Sequence, residues 1–287
     1  MSLYKYLTQE RFDVLQNAKV RFAQHQSLND PFELKPYFDA LASESFLSNF
    51  FNDAWQQYGQ EALKLVDAQI PNELKDDHYK QTLNQVEIEN PALALLLDTH
   101  KQKMPEVREI IFKNFNENIG SLCLSESADN ILMWAHYANN YKGFVIEFDN
   151  EHEYFNLKDR TIDHFGSIRK VNYSDERPNV ATFTDLTPDN IFFIKSIDWA
   201  YEKEWRILRH LHTEESNNVG RDVDGQPIYL FSIPCEAVTG VIFGSRISIQ
   251  DKNKILEFLE NDSRYSHVKP YQTHLDEKKF KLNIDAL

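Results

Sequence analysis

The scarcity of glycine constrains this chain more than any other feature of its sequence. Only 8 of its 287 residues are glycine, and none stands in a G-x-G-x-x-G or G-x-x-x-x-G-K-S/T pattern. Those patterns bring backbone amides against phosphate groups at a helix N-terminus, as Rossmann and P-loop proteins require. The backbone phosphate cradles of those two classes are therefore missing. At 41% hydrophobic and 13% aromatic residues the chain can bury a sizeable core, which excludes disorder as a description of the whole. Its formal charge of −14 argues against broad clamping of nucleic acid, because such clamping depends on Lys and Arg replacing phosphate counterions. No extended nucleic-acid surface is expected, although a small basic pocket for one nucleotide is compatible with that balance. No apolar run approaches the ~20 residues of a membrane span, and Met1 to Tyr6 lacks an apolar signal core. The expectation is a cytoplasmic protein without membrane contact.

Hydrophobic patterning predicts α+β architecture: a twisted, mostly antiparallel sheet core with a helical insertion. Strand signals fall at Leu3 to Tyr6, Lys19 to Ala23, Ser121 to Ser125, Gly143 to Phe148 and Glu202 to Arg209, with others further along. Tyr37 to Glu117 reads as helical throughout, broken by Pro71, Pro91 and Pro105. With no low-complexity linker in sight, 1–287 is taken as a single α+β domain carrying an insertion over 37–117. Cys123 and Cys235 are too few for a zinc site, and Cys123 between two leucines suits a buried free thiol. His210 and His212 share a strand face but no third ligand follows, and His152-Glu153 lacks zinc-hydrolase spacing, so no metal site is expected.

Three constellations are able to carry chemistry. Asn29-Asp30-Pro31-Phe32-Glu33 reads first as a helix start, with Asp30 as N-cap and Glu33 completing a capping box; the functional alternative places Asn29, Asp30 and Glu33 at the rim of a pocket beside the first strand. In Met133-Trp134-Ala135-His136-Tyr137-Ala138, Trp134 and Tyr137 share a helix face with Tyr141. They either pack the helix onto the sheet or stack a ligand ring, and His136 lies on another flank. The third is Trp199-Ala200-Tyr201-Glu202-Lys203-Glu204-Trp205-Arg206. On a strand, Glu202, Glu204 and Arg206 share one face while Trp205 and Ile207 turn to the core. Such a row is either a charged solvent face or two carboxylates about 7 Å apart, placed to bind ribose hydroxyls and assist a leaving group. If Lys5, Asn29, His136, Glu204 and Arg206 line one concavity, a site exists.

Leu3-Tyr4-Lys5-Tyr6, Asn29 to Glu33, Leu122-Cys123-Leu124-Ser125, Trp134 to Ala138 with Gly143, and Trp199 to Arg206 occur in an order that resembles an uncharacterised, mainly bacterial family, domain of unknown function 2971. The resemblance runs from the N-terminus to about Gly244 and leaves Tyr37 to Glu117 outside the motif, as a variable insertion would be. More distantly, the aromatic first strand, the sheet with its short helix and the late Glu-x-Glu strand look like the ADP-ribosyltransferase superfamily. That second resemblance implies an NAD pocket without a glycine loop, with NAD as co-substrate and no other cofactor required. It implies that ADP-ribose passes to an acceptor, in a setting of bacterial toxin or phage-defence biology. Glu204 would be the catalytic carboxylate and Glu202 would orient the acceptor. Lys5 and Tyr6 would take the first-strand role, Trp134 or Tyr137 would stack the nicotinamide, and Ser125 would stand in for a central serine. The partner expected is a nucleotide-like small molecule. The rival readings are a non-catalytic ligand-binding or interaction module, with Glu202, Glu204 and Arg206 as an ion-pair ladder, and a divalent-metal nuclease or nucleotide hydrolase using Asp30, Glu33, Glu202 and Glu204.

Overall fold

The computed structural model describes residues 1–88, 90, 92–156 and 165–287. It divides the chain into two compact units: Met1–Lys35, Phe112–Arg177 and Pro188–Leu287 form the first, Pro36–Ile111 and Pro178–Thr187 the second.

Unit 1 is built on an eight-stranded sheet. Its strands run, edge to edge, Leu282–Ala286, Lys269–Leu275, Val238–Phe243, Phe144–Asp149, Ser2–Leu7, Ile119–Ser125, Glu204–His210 and Arg169–Lys170. Every neighbouring pair is antiparallel except Val238–Phe243 with Lys269–Leu275, and the class is α+β as the patterning predicts. A second, three-stranded sheet holds Lys19–Arg21, Pro227–Ser232 and Asn217–Arg221.

Strand alternation sorts the core into two clusters. Leu3, Leu7, Phe144, Ile146, Phe148, Leu122, Leu124 and Ile207 pack on one face. Tyr6, Trp134, Val145 and Ile242 pack on the other. A period of two sends successive side chains to opposite faces, so the face opposite Leu122, Leu124 and Ile207 receives Cys123, Ser125, Glu204 and Arg206. Register places Glu204 opposite Ser125 and Arg206 opposite Cys123.

Unit 2 carries the helices Glu44–Ala54, Gln60–Gln69, Asp77–Ile88 and the first part of Leu93–Asn118. Two expectations are corrected here. Tyr37–Ala40 is a strand, paired in parallel with Asn179–Thr182, a partner too distant in sequence for periodicity to reveal. Pro105 does not break its segment: the Leu93–Asn118 helix runs through it. Gly143 is needed for closeness and not as a left-handed helix cap, since a Cβ there would lie 2.0 Å from the Leu7 carbonyl oxygen. The left-handed positions before it are taken by Asn139, Asn140 and Tyr141.

His25, 4% exposed, has neither ring nitrogen hydrogen-bonded to a described residue. Burial, aided by Lys35, pushes it down to about 4 from 6.5. The folded pKa is depressed, so the unfolded chain binds the proton first. The stability present above pH 6.5 is therefore lost as pH falls towards 4, by on the order of 3 kcal/mol. Urea denaturation at pH 7 and pH 4.5 should show this drop in the parent and a smaller one in His25→Phe; equal drops would place the acid sensitivity elsewhere.

Candidate functional site

The Ile197–Glu202 turn of 3-10 helix ends at Glu202, Lys203 takes a left-handed φ of 45°, and the Glu204–His210 strand begins at once. The strand expected from Glu202 thus begins two residues later, because the kink at Lys203 separates the two glutamates. The segment is pinned on both sides of that kink. The Ser125 hydroxyl donates to the Glu202 carbonyl at 2.6 Å, and the Glu204 amide donates to the Tyr173 hydroxyl at 2.8 Å.

Glu202, Glu204 and Arg206 are all buried, at 3%, 4% and 0% exposure. The row is no solvent face. It faces inward because Lys195 meets it, donating to Glu202 Oε2 at 2.6 Å and Glu204 Oε2 at 3.1 Å. Arg206 grips Glu204 with two parallel bonds, Nε to Oε1 at 2.7 Å and Nη2 to Oε2 at 2.9 Å, and donates from Nη1 to the Phe192 carbonyl. Such bidentate pairs are the stronger kind of charge-assisted hydrogen bond. Glu33, also buried, pairs with Arg206 and approaches Lys195 at 3.7 Å. Three carboxylates and two cations therefore share one dry cluster.

Burial raises the Glu204 carboxyl above its ordinary value, against the pull of Lys195. Arg206 donates to both of its oxygens and Lys195 to one, contacts that favour the carboxylate form and oppose that rise. Burial also disfavours charge on Lys195, but the Glu204 and Glu202 carboxylates overcome this and hold it above the usual lysine range. Arg206 is lowered by burial to about 9, with Asp30 opposing, and stays charged at neutral pH.

Beside this cluster lies a cavity of about 200 Å³. Glu202, Glu204, Tyr137 and Lys195 line it, and Lys5, Tyr6, Asn29, Ser125 and Cys123 contribute further wall. The helix Ile131–Tyr137 aims Tyr137 from a firm base: Asn130 caps it, accepting from the Leu132 and Met133 amides. The Tyr137 hydroxyl donates to Glu202 Oε1. Burial and that carboxylate hold the phenol well above its usual value, so it remains a donor. Tyr6 donates to the Ser127 carbonyl at 2.7 Å, and Lys5 Nζ to the Cys123 carbonyl at 2.9 Å.

Other expected site residues fall elsewhere. Trp134 is wholly buried, bonded through Nε1 to the Ala128 carbonyl and edge-on to Tyr6, and does not line the cavity. It is packing, not a stacking surface. His136 is exposed beside Tyr137 and Tyr201 and is also absent from the cavity wall. Asp30 begins no helix: its carboxylate accepts from the Phe32 amide in a turn that delivers Glu33 to Arg206. Glu33 and Arg206 are cluster members behind the wall. Trp205 is half-buried, packs on the first core cluster and donates to Glu126 at 3.0 Å.

Sequence reading missed Lys195 and Tyr173. Lys195 sits on the Ile194–Ser196 strand, opposite Tyr173 on Asn172–Ser174. Its one signal is a lone lysine closing the apolar run Ile191-Phe192-Phe193-Ile194. Among the described residues no group of three His, Cys, Asp or Glu side chains is placed to hold a metal ion; of the carboxylates meant for one, Glu33, Glu202 and Glu204 pair with Lys195 or Arg206, and Asp30 accepts from the Phe32 amide. No helix among the described residues is long and apolar enough to cross a membrane.

Fold and site together describe an α+β protein with a polar cavity over a buried ion cluster. The family described as "Protein of unknown function (DUF2971)" matches residues 133–207, about a quarter of the chain. That stretch holds Tyr137, Lys195, Glu202, Glu204 and Arg206 and stops short of the first strand and of Asn29 to Glu33. No curated protein and no solved structure matches the chain at a significant level, so none of the comparisons carries the likeness to ADP-ribosyltransferases.

Removing one partner of a buried ion pair leaves the other charge uncompensated, at a cost of about 3–5 kcal/mol. Lys195→Met should lose that much in urea denaturation. Adding Glu202→Gln to that variant should recover part of the loss; strictly additive losses would show that the two residues do not act as one cluster.

Proposed function

We propose that unit 1 binds a nucleotide-like small molecule in this cavity and transfers ADP-ribose from NAD to an acceptor. The observation that carries the reading is that two buried carboxyl groups, Glu202 and Glu204, line one cavity while Lys195 donates to both and Arg206 to Glu204. As nicotinamide leaves, positive charge develops at the ribose carbon, and a preorganised carboxylate favours that state over bound substrate. Glu204 has this role. Glu202, tied to Tyr137, orients the acceptor and takes its proton.

A non-catalytic ligand-binding module is the second reading, favoured by one fact: both Glu204 oxygens already accept hydrogen bonds from Arg206, and one accepts from Lys195 as well. That pairing dilutes the charge a transition state would feel.

Nicotinamide release from NAD, with and without cell lysate as acceptor source, separates the two. The transferase reading expects release by the parent and a loss of about a hundredfold or more in Glu204→Gln, assayed at a temperature where circular dichroism shows the variant folded. An NAD-dependent rise in melting temperature without release supports the binding module. The absence of both release and a rise sinks the transferase reading and favours the binding module for another ligand.

A further inference from the structure

We infer that the ligand of this cavity is a phosphorylated pentose, with its phosphate held by Lys5 and its hydroxyls by Glu202. The inference rests on the cavity being a ligand site, and it names what kind of ligand that site takes.

Size gives the first argument. At about 200 Å³ the cavity falls below the roughly 300–1,000 Å³ of pockets that enclose drug-sized ligands. One sugar with its phosphate suits such a space, and a whole dinucleotide would have to leave most of itself outside.

The second argument is which polar groups the protein leaves to a ligand. An ammonium has three donors. Lys5 uses one on the Cys123 carbonyl, and among the described residues it forms no ion pair within 4.0 Å. The other cation of the wall, Lys195, is taken by Glu202 and Glu204. Lys5 is thus the lining cation that has no ion pair among the described residues, although Glu204 on the same wall acts on it from further off. Burial lowers its pKa, and that cost of desolvation is relieved when an anion arrives. At the other end, Glu202 accepts from Tyr137 on one oxygen and from Lys195 on the second. A carboxylate oxygen has two lone pairs, so each retains one for a sugar hydroxyl. Asn29, also on the wall and near the Tyr137 hydroxyl, adds an amide able to serve either end.

The phosphorylated pentose could be a free sugar phosphate or part of a mononucleotide. Isothermal titration calorimetry of the full chain with ribose, ribose 5-phosphate, AMP and inorganic phosphate distinguishes them. Ribose 5-phosphate should bind at least about tenfold tighter than ribose, since a charge-assisted bond is made only by the phosphate. Lys5→Met should abolish that preference and Lys5→Arg should retain it. AMP binding tighter than ribose 5-phosphate assigns the ligand to nucleotides, and the reverse order assigns it to free sugar phosphates. Because the preference is first read on the parent, a poorly folded variant does not remove the test. Equal affinity for ribose and ribose 5-phosphate overturns the inference while leaving the cavity a ligand site. A preference that survives Lys5→Met overturns the role of Lys5. NAD turnover without ribose 5-phosphate binding overturns the inference and keeps the transferase reading. No binding by any probe overturns the inference, and with NAD silent as well it removes the ligand site.

Discussion

The burial of Arg206 and Lys195 among Glu33, Glu202 and Glu204 is the interaction on which the rest of unit 1 depends. Moving such charges out of water costs several kcal/mol each, and their mutual attraction repays this only where geometry and hydrogen bonding are complete. Here support comes from the Phe192 carbonyl for Arg206 and from the Ser125 and Tyr173 hydroxyls for the segment that carries Glu202 and Glu204. The cluster adds little net stability compared with an apolar core of equal volume. What it does is define one arrangement, because any slip of the Glu204–His210 strand by one residue would put Glu204 and Arg206 on the face of Leu124 and Ile207 and leave Lys195 alone.

Glycine scarcity reappears in this setting as backbone tension. Ala18, Leu34, Asn139, Asn140, Tyr141 and Lys203 all take positive φ without being glycine. Two of them touch the cluster's own chain: Leu34 follows Glu33, and Lys203 separates Glu202 from Glu204. Residues held in this region cost about 1 kcal/mol or more each and persist where the surroundings over-determine them. At Leu34 and Lys203 the surroundings are the ion pairs themselves. The same kink at Lys203 lets two neighbouring glutamates face one cavity although they belong to different elements.

Much of the site was legible because local signals are strong there. Alternation marked Glu204 and Arg206 as one face and Trp205 and Ile207 as the other, and turn chemistry singled out Asp30 and Glu33. The direction of the charged face was not legible. Whether Glu-x-Glu-x-Arg points to water or inward depends on Lys195, whose strand is too short to show a period, and on Glu33, about 170 positions away in the chain. The helix face of Trp134 and Tyr137 was read correctly as a face, yet depth separates its members: Trp134 is sealed beneath Tyr6 while Tyr137 reaches the cavity. Tyr37–Ala40 was lost for a similar reason, since a four-residue strand gains its identity only from Asn179–Thr182.

Charge on the cavity wall decides which chemistry the cluster is able to support. Counted whole, Glu33, Glu202 and Glu204 outnumber Lys195 and Arg206 by one. Counted at the wall, Arg206 and Glu33 drop out, and Glu202 and Glu204 face the cavity with Lys195 alone between them. That side holds two acidic groups for one basic group. Lys5, contributed by the first strand, forms no ion pair among the described residues, and burial lowers its pKa against the pull of Cys123 and Glu204. A ligand matching both must carry an anion and, elsewhere, hydroxyls or a carbon able to bear developing positive charge. Water would screen this pattern at a surface, but in a recess of low dielectric the two signs stay distinct. An ordinary ion-pair ladder has no need of such a division, because a structural network is most stable when every charge is matched within it. The lysine that forms no close ion pair among the described residues, beside two carboxyl groups that share Lys195, is therefore the feature that separates a site from a scaffold.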